Sequence, residues 1–155
     1  MKQNIVVVDL DGTLCDSAHR EHLARAGLWD EFHSLLGNDQ PNKPAAELIK
    51  ILVGSERELV IVGLTGRNER HRNATQDWLL LHDIVLDELL MRPDSNYEND
   101  HLLKPRMLCE WIISETGEKE EPLSFVMFVL EDRDKVVEAW RNLGCACWQV
   151  KSGGY

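Results

Sequence analysis

The chain has 155 residues and a formal net charge of −10, with ordinary fractions of apolar and charged residues. This length fits one domain with its own core, and no run approaches the ~20 apolar residues that cross a bilayer. The negative charge argues against a broad nucleic-acid-binding surface, which would be basic. We therefore expect a single cytoplasmic domain over residues 1–155, without a signal peptide, that binds small or locally held substrates.

The first predicted element is a buried strand over residues 5–8, because four successive β-branched residues fit a pleated core better than a helix. Asp9 and Asp11 follow it directly, and Gly12 ends the run. Alternate residues of an extended chain point to the same side, so the two carboxylates leave the strand together. Ligands of open α/β sheets bind outside the carboxyl ends of the strands, which makes this pair the first catalytic candidate.

The next segment predicts short helices. A helix is expected over residues 17–26, where Gly27 ends it, and a second amphipathic piece begins near Trp29. A loop rich in helix-breaking residues follows over residues 37–44. Residues 17–44 are too few for a large separate domain, so we expect them to form at most a small helical cap.

The rest of the chain alternates helices and strands. In order, we expect a helix at 44–53, a strand at 59–62, a helix at 69–81, a short apolar piece at 89–91, a helix at 105–114, a strand at 125–130, a helix ending at 144 and a strand at 145–150. The apolar runs of the strands are continuous, as in a parallel sheet covered on both faces. The predicted fold class is α/β, Rossmann-like, with three α/β/α layers around a central parallel sheet.

Polar residues stand where three of these strands end and where one helix begins. They are Asp9, Asp11, Thr65, Gly66, Arg67, Lys104, Glu131 and Asp132. The set includes a nucleophile, a proton donor, groups for anionic oxygens, and carboxylates for a hard cation such as Mg²⁺. These are the parts that phosphoryl transfer needs, and the sequence contains no Walker loop that would indicate nucleotide triphosphates.

These motifs, in this order, resemble those of haloacid-dehalogenase superfamily phosphatases. The motifs are Asp9-x-Asp11-Gly12-Thr13, then Thr65, then Lys104, then Glu131-Asp132. The stretch from residue 131 to residue 150 points to one group within this superfamily, because it resembles the 3'-phosphatase domains of bacteriophage polynucleotide kinases. The likeness follows the motif order over nearly the whole chain and is densest near the C-terminus.

The resemblance implies a role for each site residue. Asp9 would be the nucleophile that forms an aspartyl-phosphate, and Asp11 would protonate the leaving alcohol and then activate water. Mg²⁺ would be held by Asp9, Asp132 and the backbone carbonyl of Asp11. The residues expected to bind phosphate or substrate are Thr65, Gly66, Arg67, Arg92 and Lys104. Glu131 stands where an aspartate is expected, so direct or water-mediated contact with the metal stays open.

The role of Asp11 carries a condition on its pKa. An isolated aspartate has a pKa of about 3.9, so a general acid at neutral pH must hold its proton against that tendency. Burial or a neighbouring like charge would supply the shift. We therefore expect a raised pKa at Asp11.

Three functions are compatible with the residues. The first is a phosphatase for nucleotide or polynucleotide 3'-phosphates, in which Arg67, Arg70 and Arg72 would hold a neighbouring phosphate. The second is a 5'-nucleotidase, which the acidic charge favours. The third is a signalling receiver domain, disfavoured because there the acidic pair and the phosphate acceptor lie on different strands. The expected partner is a phosphorylated nucleotide or nucleic-acid 3' end, with no membrane and no obligate protein partner.

Overall fold

A five-stranded parallel sheet forms the centre of the computed structural model, which describes residues 4–154. The described residues form these strands, of which all but β2 and β3 belong to this sheet: β1 (Ile5–Val8), β2 (Cys15–Asp16), β3 (Gln40–Pro41), β4 (Val60–Asn68), β5 (Glu88–Arg92), β6 (Val126–Arg133) and β7 (Cys147–Gly153). The sheet order is β5-β4-β1-β6-β7, and all its neighbours pair in parallel. This confirms the predicted parallel sheet.

Helices cover both faces of this sheet. They are α1 (Glu21–Arg25), α2 (Trp29–Ser34), α3 (Lys43–Val53), α4 (Arg72–Leu81), α5 (Asp100–Thr116) and α6 (Asp134–Asn142). Val6 and Val8 pack in one apolar cluster with residues of α3 and α4, whereas Val7 packs in a second cluster with residues of α5 and α6. Because successive residues of β1 face opposite layers, the α/β/α arrangement follows from an unbroken apolar strand.

The connections of β1 and β6 run in opposite directions along the sheet. The chain passes from β1 towards β4 on one side, and from β6 to β7 on the other. Such a reversal opens a crevice at the carboxyl ends of the two neighbouring strands. The candidate residues Asp9 and Asp132 stand at this point.

The segment from 17 to 44 contains more structure than the sequence predicted. Instead of one helix over residues 17–26, a 3₁₀ turn at Ala18–Arg20 precedes α1. Arg20 is completely buried and has φ −120°, so its side chain turns into the protein where the helix would continue. The short strands β2 and β3 pair with each other as an antiparallel ribbon, which the sequence did not predict.

Element boundaries also differ around the predicted site. The helix α5 begins at Asp100, five residues before its predicted start, and it contains Pro105. The proline ring removes one backbone donor, so proline is accommodated most easily in the first turn of a helix, where the prediction had placed Pro105. Lys104 consequently lies buried in the second turn rather than at the start of the helix. Over residues 4–154, no helix is long and apolar enough to cross a membrane.

Candidate active site

Three carboxylates and one lysine meet at the carboxyl ends of β1 and β6. Ligand atoms of Asp9, Glu131 and Asp132 all lie within 4.8 Å of one another. From α5, the Nζ of Lys104 donates to Asp9 Oδ1 at 2.6 Å and to Glu131 Oε2 at 2.7 Å. All four side chains are buried. We call this group the acidic cluster.

Two glycines enclose the carboxylate of Asp132. A Cβ atom at Gly12 would lie 2.2 Å from Asp132 Oδ2, and one at Gly153 would lie 2.9 Å from the same oxygen. Gly12 also has φ +87°, a conformation that side chains disfavour. The Thr13 hydroxyl donates to Asp132 Oδ1 at 3.3 Å. Asp132 is therefore held by backbone from the loop after β1 and from the end of β7.

The acidic cluster has the donor set of a divalent cation site. Asp9 Oδ2 and Asp132 Oδ2 are buried and have no hydrogen-bond partner among the described residues. Burial and then the charge of Glu131 raise the pKa of Asp9 above its usual value, against the opposing charge of Lys104. The same two causes raise the pKa of Asp132 to about 7. A hard cation would coordinate the two unpartnered oxygens, and its positive charge would lower the raised pKa values of both carboxylates.

A second cluster surrounds Asp11. Arg67 donates from Nε to both Asp11 carboxylate oxygens, at 3.1 and 3.0 Å, and from Nη2 to Oδ1 at 2.6 Å. Arg20 also donates to Asp11 Oδ1 and is held in turn by Asp39, to whose Oδ1 its Nε donates at 2.7 Å. Both arginines are completely buried. We call Asp11, Arg20, Asp39 and Arg67 the arginine cluster.

The arginine cluster overturns the expected pKa of Asp11. Burial alone would raise it, but the charges of Arg67 and Arg20 and the hydrogen bonds from Arg67 outweigh burial and hold the pKa well below its usual range. The prediction of a raised pKa was wrong because it considered burial and a neighbouring carboxylate but not the two arginine charges. Arg20, which folds back from a separate turn, was not part of that reasoning.

Glu131 uses both carboxylate oxygens within the protein. Its Oε1 accepts the backbone N–H groups of Asp132 and Arg133, at 3.0 and 3.2 Å, and its Oε2 accepts from Lys104. The extra methylene relative to aspartate lets the side chain curl back onto its own backbone. Glu131 thus orients Lys104 and the end of β6, and its expected contact with a metal stays a prediction.

The residues predicted to bind phosphate divide into two groups. Gly66, Arg92 and Lys104 line the crevice above the acidic cluster. Thr65 and Arg67 are buried, and the Thr65 hydroxyl oxygen accepts the Arg67 backbone N–H at 3.2 Å.

The arginines among these residues already have protein partners. Arg92 donates to the carbonyls of Gly66, at 3.0 Å, and Glu98, at 2.7 Å, and to the carboxylate of Asp100. The guanidinium of Arg67 is engaged by Asp11 and by Thr75. The phosphate-binding roles of both arginines stay predictions.

Sequence reasoning did not select Arg20, Asp39 or Asp100 as site residues. Asp100 accepts from Arg92 and Arg133, and a Cβ at Gly66 would approach its carboxylate to 2.7 Å. Its four-residue spacing from Lys104 was a usable signal, because such residues share one helix face. Arg20 and Asp39 gave no comparable signal, since only tertiary folding brings them to Asp11.

The predicted basic group does not converge on the crevice. Arg67 is buried against Asp11, and Arg72 pairs with Glu69 and with the carbonyl of Leu89. Arg70 alone of the three lines the crevice, which has a volume of about 530 Å³ and is also lined by Asp9 and Asp11. The neighbouring turn residues point to different surfaces, so the sequence cluster overstated the positive charge at the site.

Comparison with known families agrees with this geometry. Residues 3–155 match the phosphatase domain of polynucleotide kinase PNKP. The chain belongs to this family. It is therefore a phosphatase of the haloacid-dehalogenase type, as the order of its motifs predicted.

Solved structures support the family and the fold. A chain of a Pnkp1/Rnl/Hen1 complex shares 30% identity with a TM-score of 0.77 over 99% of this chain, and a chain of a Pnkp1/Rnl/Hen1 RNA repair complex shares 29% with a TM-score of 0.76 over 99%. This domain spans 48% and 44% of those chains, about half of their length. A D,D-heptose 1,7-bisphosphate phosphatase from B. bronchiseptica, complexed with magnesium and phosphate, shares the fold at 17% identity over 94% of this chain and 79% of that one, with a TM-score of 0.60.

Proposed function

We propose that this PNKP-type domain is a Mg²⁺-dependent phosphomonoesterase that removes 3'-phosphates from nucleotides or polynucleotide ends through an aspartyl-phosphate. The observation that carries the proposal is the state of Asp9. One of its oxygens is fixed by Lys104, and the other is buried beneath the crevice without a hydrogen-bond partner among the described residues. An oriented, desolvated carboxylate is a competent nucleophile. Membership of a polynucleotide kinase phosphatase family supports a phosphorylated nucleotide or polynucleotide end as the target, and the 3' position is what the resemblance of the motifs implies.

In the proposed first step, a carboxylate oxygen of Asp9 attacks phosphorus in line with the leaving alcohol. The P–O bond to the alcohol breaks, and the alcohol oxygen takes a proton from Asp11. Lys104, beside Asp9, offsets the negative charge of the two approaching groups. Water then attacks phosphorus, gives its proton to Asp11, and releases inorganic phosphate while Asp9 regains its carboxylate.

The arginine cluster defines when Asp11 can perform each proton transfer. Arg20 and Arg67 favour its ionised form, which is the form that accepts a proton from the attacking water. As the acid of the first step, Asp11 must be protonated with its arginine contacts loosened. Because Asp11 lines the crevice, a substrate bound there would contact Asp11 and could displace its arginine partners.

Mg²⁺ fits the acidic cluster, where Asp9, Asp132 and the backbone carbonyl of Asp11 would hold it. When bound, it neutralises charge on the phosphate oxygens and orients them for in-line attack. We expect Ca²⁺ to bind and to support little turnover, because its larger and looser shell disturbs that geometry.

One observation favours a 5'-nucleotidase as the second candidate. The walls of the crevice carry Asp30, Glu31, Asp94 and Glu98, which repel the further phosphates of a polynucleotide more than a mononucleotide. The family match removes the signalling receiver alternative.

A substrate panel tests the proposal. We would measure phosphate release from a 3'-phosphorylated oligonucleotide, a 3'-NMP, a 5'-dNMP and a sugar phosphate, each with Mg²⁺, Ca²⁺ or EDTA. The proposal predicts the highest kcat/KM for a 3'-phosphate and no turnover in EDTA. A higher kcat/KM for the 5'-dNMP would establish the nucleotidase instead, and full activity in EDTA would refute the metal site.

We also propose that residues 17–44 act as a small cap within a single domain. Trp29 and His33 of α2 line one wall of the crevice, and Arg20 and Asp39 support Asp11. The solved relatives stand in complexes with Rnl and Hen1, and one is an RNA repair complex, which supports an RNA end as substrate. The lack of an obligate protein partner and the cytoplasmic location stay predictions.

A further inference from the structure

Two aromatic side chains in the crevice walls are exposed and have no part in the chemistry proposed above. Trp29, at the start of α2, is 45% exposed, and Tyr97, in the loop between β5 and α5, is 92% exposed. Both line the same crevice as Asp9 and Asp11. Large aromatic groups usually bury most of their surface, so two exposed ones beside an active site indicate a ligand with apolar faces.

Trp29 is held in place by its neighbours. Its ring contacts Phe32 edge-on, with centroids 5.8 Å apart, and lies 6.4 Å from the ring of His33. Phe32 and His33 are both buried, so they fix the position of the indole. A ring that is already ordered loses little conformational entropy when a planar ligand stacks on it.

Tyr97 extends from a turn that is fixed on both sides. The Asn96 side-chain oxygen accepts a hydrogen bond from the Glu98 backbone N–H at 2.9 Å, which joins the two residues on either side of Tyr97. Arg92 donates to that same oxygen, at 3.1 Å, and to the Glu98 carbonyl, at 2.7 Å. Since Arg92 also contacts Gly66 and Asp100 at the rim of the site, the turn is tied to the active site.

The charges along the crevice point to bases rather than phosphates as the bound groups. The walls carry the carboxylates Asp30, Glu31, Asp94 and Glu98, and the cations that line the crevice are each paired with a carboxylate of the protein: Arg70, Arg92, Lys104 and Arg133. The Arg70 guanidinium is paired with Asp30. A nucleic-acid strand gains little here from phosphate contacts, whereas every base offers a face for stacking on an aromatic ring.

We propose that Trp29 and Tyr97 form a stacking surface for the bases of a single-stranded 3' end, so that the enzyme selects its substrate through the bases next to the phosphate. This inference rests on the proposed 3'-phosphatase function. Bases at a blunt duplex end are already paired and stacked, so they must be unpaired before they can use this surface. We therefore expect the enzyme to prefer single-stranded over blunt 3'-phosphorylated ends.

The experiment compares kcat/KM for a 3'-phosphorylated single-stranded oligonucleotide with that for p-nitrophenyl phosphate. In Trp29→Ala and in Tyr97→Ala, the ratio of the two values should fall about tenfold, mainly through KM for the oligonucleotide, as expected for the loss of one base–aromatic stack. Trp29→Phe and Tyr97→Phe should retain most of the ratio. Trp148→Ala is the matched control, because Trp148 is 56% exposed on β7 outside the crevice, and it should leave the ratio unchanged.

The outcomes separate this inference from the function on which it rests. If the wild-type enzyme hydrolyses p-nitrophenyl phosphate and no 3'-phosphorylated oligonucleotide, the proposed function fails and the inference falls with it. If it hydrolyses the oligonucleotide and Tyr97→Ala retains the wild-type ratio, the stacking surface is refuted while the function stands. Tyr97 is almost fully exposed, so its substitution answers the question even where Trp29→Ala disturbs α2.

Discussion

The two carboxylates that leave β1 two residues apart, Asp9 and Asp11, lie in opposite electrostatic settings. The acidic cluster around Asp9 combines three carboxylates with one lysine. The arginine cluster around Asp11 combines two carboxylates with two arginines. The pKa of Asp9 is consequently raised and that of Asp11 is lowered.

This difference gives the two carboxylates of one short motif distinct electrostatic properties. The arginine cluster balances its charges from within the protein. The acidic cluster has an excess of negative charge, which a cation from solution would balance. In the proposed mechanism, covalent attack by one carboxylate and proton transfer by the other would rest on these different partners.

The largest expected effect comes from removing the proposed nucleophile, Asp9, of the acidic cluster. Asp9→Asn should lower turnover at least a thousandfold, which corresponds to about 4 kcal/mol in the activation barrier. Circular dichroism and Tm should show that the variant is folded, because it removes a buried charge that is costly without a cation. Asp77→Asn, on the exposed side of α4, is the control. More than a tenth of the wild-type rate would exclude covalent catalysis at Asp9.

The arginine cluster is tested by the dependence on the leaving group. Asp11→Asn should slow hydrolysis of alkyl phosphates, such as nucleotides, by about 10²- to 10⁴-fold, because their alkoxides need a proton to leave. Hydrolysis of p-nitrophenyl phosphate should slow far less. Equal losses on both substrates would contradict proton transfer and would assign Asp11 to positioning the metal through its carbonyl.

The acidic cluster also links the stability of the protein to pH. In metal-free protein, the Asp132 pKa of about 7 exceeds its ordinary value of 3.8. Between these two values the folded state binds more protons than the unfolded state. The free energy of unfolding therefore falls as pH rises from 3.8 to about 7, by up to about 1.4 kcal/mol per pH unit.

His33 opposes this slope, because burial lowers its pKa to about 4 and so favours stability as pH rises. The measurement is therefore a difference in urea-unfolding free energy between wild type and Asp132→Asn, at several pH values in EDTA. A pH-independent difference would show that Asp132 is not the titrating group.

The smallest effect is expected at Glu131. Glu131→Asp shortens the side chain that orients Lys104, so kcat should fall about tenfold, on the scale of losing one charge-assisted hydrogen bond. Mg²⁺ affinity, measured by thermal shift, should stay close to wild type, whereas Asp132→Asn should weaken it strongly. A large loss of Mg²⁺ affinity in Glu131→Asp would instead make Glu131 a direct ligand.

The sequence predicted the acidic cluster better than the arginine cluster for a physical reason. Asp9 and Asp132 adjoin apolar strands, and parallel strands bring their carboxyl ends together whatever the loops do. Arg20 and Asp39 lie in irregular segments whose positions depend on tertiary contacts. The start of α5 was also missed, because Pro105 outweighed the helical spacing of Asp100 and Lys104.

The enclosure of Asp132 by Gly12 and Gly153 has a consequence for how the protein folds. These residues come from the loop after β1, the end of β6 and the end of β7, so their meeting depends on contacts between distant parts of the chain. Contacts of high sequence separation form late, because a long loop must close before they stabilise the chain. Arg67 and Asp11, joined across the β1–β4 pair, can meet in a partly folded chain, whereas tight Mg²⁺ binding during refolding would report that β1, β6 and β7 have come together.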